Sequence, residues 1–80
     1  MYISVEISYY PLLESFDIPV HEFLAGLKEN KNIEIEIGKM SSLITGEYNE
    51  VMSLLQKNIK KVMENYPSIF TIKLSNTCLV

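Results

Sequence analysis

The segment GKMSSLITGEYNEVM, Gly38 to Met52, sets two serines, a threonine and a glutamate among apolar residues and runs directly into a helical pattern. The hydroxyls of Ser41, Ser42 and Thr45 both donate and accept, while Glu47 only accepts, so together they have the chemistry to hydrogen-bond a small polar molecule. A core strand makes little use of such groups, and a catalytic centre would add a His, Cys or Asp partner within reach. The segment is therefore either a half-buried strand or a surface offered to a ligand.

Few other residues carry chemistry. Cys78 is the only cysteine and His21 the only histidine. A lone thiol forms no internal disulfide, and without a neighbouring histidine or a CxxC partner it reads as passive. His21 falls on the first turn of an expected helix, with no Cys, Asp or Glu at ligand spacing on its face, so no metal site is expected. The pattern assembles no carboxylate pair, no Ser/His/Asp set and no Gly-rich phosphate loop, and the expectation is a protein that is not an enzyme and carries no cofactor. What remains is Ser, Thr, Asn, Glu and Tyr at the ends of three expected strands, the inventory of a site that holds a flat polar molecule without transforming it. The competing account is that these side chains close turns, as Ser and Asn commonly do.

The elements that must position them fit in one small domain, residues 1–80. Apolar residues make up 48% of the chain and charged residues 21%, enough burial to offset chain entropy and exclude disorder. The net charge is -3, with seven lysines and no arginine, which provides no basic footprint for nucleic acid. No apolar run approaches the roughly 20 residues needed to cross a bilayer, and no basic stretch precedes an apolar one at the N-terminus. A cytoplasmic protein with no membrane partner is expected.

Ile3, Val5, Ile7 and Tyr9 alternate with Ser4, Glu6 and Ser8, the period of a strand with one buried face, and Pro11 stops it. Asp17 is placed to cap a first helix, with Pro19 in its first turn and Val20, Phe23, Leu24 and Leu27 on one face, running to about Glu29. Ile33, Ile35 and Ile37 alternate with Glu34 and Glu36 in a second strand, whose outer carboxylates suit a sheet edge. Met40 to Thr45 form a third strand whose facing the pattern leaves open, and Gly46 breaks it. In the second helix, Met52, Leu55, Ile59, Val62, Met63 and Tyr66 form an apolar stripe in which the methionines read as core filler, ending before Pro67. Phe70, Ile72 and Leu74 alternate with Ile69, Thr71, Lys73 and Ser75 in a fourth strand.

This order gives an α+β fold, a ferredoxin-like βαββαβ sandwich with a four-stranded antiparallel sheet and two helices on one face. The bare face places Ser4, Glu6, Ser8 and Tyr10 beside Thr71, Lys73 and Ser75. Such a face meets water or another copy of the chain, and Tyr2, Tyr10 and Ile69 favour the second.

The blocks VEISYYPL, GKMSSLITGEYNEVM and TIKLSNTC resemble the YkoF-like, thiamine-binding protein family across nearly the whole chain. The resemblance implies a ferredoxin-like fold, assembly as dimers or tetramers through the sheets, and non-catalytic binding of thiamine or its hydroxymethylpyrimidine moiety. Carried over by position, it marks Ser8, Tyr10, Ser41, Ser42, Thr45, Glu47, Ser75 and Asn76 as ligand-binding residues. An aminopyrimidine offers an amine donor and ring-nitrogen acceptors that Ser, Thr and Asn can pair, with Glu47 or Glu6 accepting from the amine. A tyrosine face over the thiazolium cation would add on the order of 1 to 2 kcal/mol. The function expected is binding of thiamine or its pyrimidine moiety at an inter-subunit site of a homo-oligomer. The alternative is an oligomeric protein-interaction module with no small-molecule ligand.

Overall fold

The computed structural model describes residues 1–15 and 17–77. The elements follow in the order β1 (Tyr2–Pro11), α1 (Asp17–Leu27), β2 (Glu34–Ile37), β3 (Ser42–Glu47), α2 (Tyr48–Asn65) and β4 (Ser68–Ser75). The strands form one sheet in the order β2-β3-β1-β4, with every neighbouring pair antiparallel. Strands β1 and β2 therefore run parallel with β3 between them, and β3 and β4 parallel with β1 between them. Each helix is the crossover of one such split pair, which makes the sandwich ferredoxin-like.

One face of the sheet carries the core. Ile3, Val5 and Ile7 of β1 and Ile44 of β3 are buried against Phe23 and Leu27 of α1 and against Val51, Leu54, Leu55 and Val62 of α2. The alternation that buries these residues turns Ser4, Glu6, Ser8 and Tyr10 to the opposite, helix-free face. There they pair with Ser75, Lys73, Thr71 and Ile69 of β4. Register also fixes the facing of β3. Ser42 lies opposite Ile7 on the core side, while Leu43 lies opposite Glu6 on the free side.

Several boundaries differ from the sequence expectation. Gly46 continues β3 rather than breaking it, paired with Ile3. A Cβ there would stand 3.1 Å from Val51 Cγ2 and 3.2 Å from Ile33 Cγ1, so the glycine marks a close approach of α2 and the β2 entry to the strand. Asp17 is the first residue of α1 rather than the residue before it. That helix ends at Leu27, and tight turns from Lys28 N to Ala25 O and from Glu29 N to Gly26 O carry the chain on to Glu29. On α2, Met52 and Met63 are 36% and 50% exposed instead of filling the core. With about 100° between successive helix positions, the buried face centres on Val51, Leu55, Asn58 and Val62, and both methionines fall roughly a quarter turn away.

The helices pack over β1 and β3, so coverage stops short of the outer edge of β4. Ile72 and Leu74 face the helical side yet stay 48% and 52% exposed. No helix among the described residues is long and apolar enough to cross a membrane.

Candidate functional site

A cavity of about 510 Å3 opens on the helical side of the sheet, at the end where β1 finishes and β3 begins. Its floor is Ile7 and Tyr9 of β1 with Ser42 of β3. Its wall is Val20, Phe23 and Leu24 of α1, and its rim is Tyr10, Pro11 and the turn from Ile37 to Ser41. The local sequence explains the gap. Helix α1 presents Phe23 and Leu27 fully to the core, while Val20 and Leu24, one position round the helix, are only half-buried; at this end β2 and β3 pair only as far as the level of Ile7, whereas β1 and β4 run on to Pro11 and Ser68.

The turn that closes the cavity joins β2 to β3 through residues 38–41. Gly38 N donates to Ser41 O at 2.9 Å, and the Ser8 hydroxyl donates to Met40 O at 3.3 Å. Ser41 Oγ donates to Glu6 Oε2 at 3.2 Å, and Lys73 stands 3.8 Å from the other oxygen of that carboxylate. These contacts hold the turn to the free face of β1.

The floor is aromatic. Tyr9 stacks on Phe70 with ring centroids 4.4 Å apart and planes 8° from parallel, and meets Phe23 edge-on at 5.4 Å. Its hydroxyl lies 2.9 Å from Ser68 Oγ, which donates onward to Tyr66 O at 3.0 Å. The ring is therefore fixed from both ends. Ser42 is different. It is only 7% exposed, lines the cavity, and its hydroxyl takes part in no hydrogen bond among the described residues.

The eight residues marked by the sequence resemblance divide between the two ends of the sheet. Tyr10, Ser41 and Ser42 line the cavity, and Ser8 supports its rim. Thr45 and Glu47 lie further along β3, and Glu47 is five residues from Ser42, about 17 Å at strand spacing. Glu47 Oε1 accepts from Asn49 N at 2.9 Å and Glu50 N at 3.2 Å, capping α2. Ser75 closes a turn with Thr77, accepting from its N–H at 3.0 Å, and Asn76 lies exposed in that turn. Thr45 is half-buried on the free face, opposite Ser4 and Glu34. One small molecule does not reach both groups.

Sequence reasoning missed Tyr9, Val20 and Leu24 as cavity residues, because all three sit on expected core faces and alternation does not say where a core is incompletely filled. Lys39 was readable only as part of a connection, although it stands beside the two serines. His21 is exposed on α1, and Cys78 lies outside the described residues. Tyr66 donates to Glu22 Oε1 at 3.0 Å. That hydrogen bond, then desolvation, then the Glu22 charge, raises the Tyr66 pKa above its ordinary value.

No family model matches the chain, and no curated protein matches it. Solved structures do. A Streptococcus pneumoniae protein is 16% identical with a TM-score of 0.87, over 96% of this chain and 88% of its own. A domain of unknown function, DUF77, from Bacillus cereus is 15% identical with a TM-score of 0.78, over 96% and 77%. A Thermotoga maritima protein provisionally assigned to thiamine biosynthesis or salvage is 17% identical with a TM-score of 0.71, over 96% and 85%. At these identities what is shared is the fold.

Proposed function

We propose that this chain is a non-catalytic binder of thiamine or its hydroxymethylpyrimidine moiety, with the pyrimidine seated in the cavity beneath α1. The observation that carries this reading is Ser42, a residue only 7% exposed on the floor of an otherwise largely apolar cavity, whose hydroxyl has no hydrogen-bond partner among the described residues and, as no buried side-chain oxygen there is left unpaired, is open to the cavity. A hydroxyl free of protein partners can pair a ligand atom without giving up an existing bond, and such a hydrogen bond contributes about 0.5 to 1.5 kcal/mol. The volume, about 510 Å3, lies within the range of small-molecule sites. Tyr9 and Phe23 supply flat apolar surface for a ring. The provisional thiamine assignment of the Thermotoga maritima neighbour and the three sequence blocks support the choice of ligand.

The same reading places the site at a contact between copies of the chain. Tyr2, Tyr10, Leu43 and Ile69 expose apolar surface on the helix-free face, and Tyr10 also lines the cavity. A second copy covering that face would therefore reach the cavity mouth. The test is calorimetry and thermal unfolding with hydroxymethylpyrimidine and with thiamine at millimolar concentration. Binding to the folded state must raise stability, and no heat and no stabilisation from either compound would remove the reading.

The exposed apolar residues of the helix-free face also favour a second reading, an oligomeric protein-interaction module without a small ligand. It predicts that Tyr10→Ala lowers the association state seen in sedimentation, and a variant that stays fully assembled counts against it.

A further inference from the structure

We propose that the cavity selects an anionic form of its ligand, a phosphate monoester of the aminopyrimidine alcohol, over the neutral alcohol and over a thiazolium cation. This rests on the reading of the cavity as the binding site. Among the described residues, Lys39 is the one charged side chain that lines the cavity, and no carboxylate lines it. That is unusual in a chain of net charge -3.

Neither ion pair found among the described residues involves Lys39. Among the described residues, Lys57 lies 3.2 Å from Glu29 and Lys73 lies 3.8 Å from Glu6, whereas Lys39 has no carboxylate within ion-pair distance. Glu6, tied to the rim through Ser41, already faces Lys73. An ammonium at the mouth of an apolar cavity acts on a ligand through fewer solvent dipoles than on an open surface, so its field favours a negative substituent and opposes a positive one. The geometry gives the ligand a polarity. Its ring lies inward against Tyr9 and Phe23, the amine or ring nitrogen meets Ser42, and the esterified hydroxymethyl group points out towards the turn that carries Lys39.

The test is titration calorimetry at low ionic strength with three probes, hydroxymethylpyrimidine, its phosphate monoester and thiamine, on the unmodified protein and on Lys39→Gln. The ester is expected to bind about fivefold or more tightly than the alcohol, thiamine is expected to bind no better than the alcohol, and Lys39→Gln is expected to erase the ester's advantage. Added salt should erode the advantage on the unmodified protein, as for any partly exposed charge contact. Equal affinity for ester and alcohol, tighter binding of thiamine than of the ester, or an advantage that survives in Lys39→Gln would overturn the inference and leave the binding site standing. Failure of all three probes to bind would overturn the proposed function and this inference together.

Discussion

Replacing Ser42 with alanine separates a ligand-directed hydroxyl from a structural one, because the two roles predict opposite readouts. Ser42 is 7% exposed and its hydroxyl has no hydrogen-bond partner among the described residues. Removing it takes away a hydroxyl that opens on the cavity and breaks none of the described hydrogen bonds, so folding stability should change by less than about 0.5 kcal/mol, and an increase is as acceptable as a decrease. If the hydroxyl pairs the ligand, the variant loses about 0.5 to 1.5 kcal/mol of binding, an affinity about two- to twelvefold weaker. Thermal unfolding without ligand measures the first quantity. Calorimetry with hydroxymethylpyrimidine measures the second. A fall in Tm of about 4 °C or more would correspond to a loss near 1 kcal/mol in a domain of this size and would mean that Ser42 serves the fold. Unchanged affinity together with an unchanged Tm would refute the assignment of Ser42 as the ligand's partner.

Gly26→Ala should destabilise by about 1 to 2 kcal/mol, because the added methyl would overlap the carboxamide oxygen of buried Asn58, and overpacking outweighs the better helix propensity of alanine; denaturant unfolding reads the change, and a stabilised variant would show that Asn58 shifts freely. Glu47→Ala should lower stability by about 1 kcal/mol through loss of the cap on the amides of Asn49 and Glu50, while leaving ligand affinity unchanged in calorimetry. For Tyr66, the folded pKa lies above the ordinary value of 10.0, so its contact with Glu22 contributes stability that is fully present below that pH and is lost as pH rises through the folded pKa. Tyr66→Phe should therefore flatten the decline in stability above pH 10, measured by denaturant titration at a series of alkaline pH values, and an unchanged slope would show that the decline has another source.

The fold was legible because both periodicities are clean where they matter. Ile3, Val5 and Ile7 alternate without interruption, and Glu34 and Glu36 mark an edge strand by their charge. Where the pattern failed, a tertiary contact had overridden a local signal. Gly46 looks like a strand breaker in isolation, but its missing side chain makes room for Val51 and Ile33. Met52 and Met63 satisfy a helical spacing, but so does the face one position away that ends on Val62, and only the placement of the helix against β3 decides between them. The cavity was invisible for a related reason. Sequence spacing states which side of a strand is apolar, and the gap at Val20 and Leu24 lies where β2 and β3 stop short of the end of β1, a property of the strand register rather than of α1.

The candidate site was partly legible because one block of sequence contains residues with two different duties. In Ser42 to Glu47, the hydroxyl at one end lines a cavity and the carboxylate at the other caps a helix, so both are polar for physical reasons that spacing alone does not distinguish. The distinction appears once hydrogen bonds are counted. At the far end of the sheet Glu47 is engaged by two amides and Ser75 by the N–H of Thr77, which leaves those polar groups already employed in local structure. At the near end Ser8 and Ser41 fasten the β2–β3 turn and Tyr9 is fixed through Ser68, but the Ser42 hydroxyl and the Lys39 ammonium are engaged by none of the described hydrogen bonds or ion pairs. A turn held in place by its neighbours, with its Lys39 ammonium and the adjoining Ser42 hydroxyl of β3 uncommitted, is a preorganised arrangement, and preorganisation is what lets a small cavity bind without first paying to order its walls.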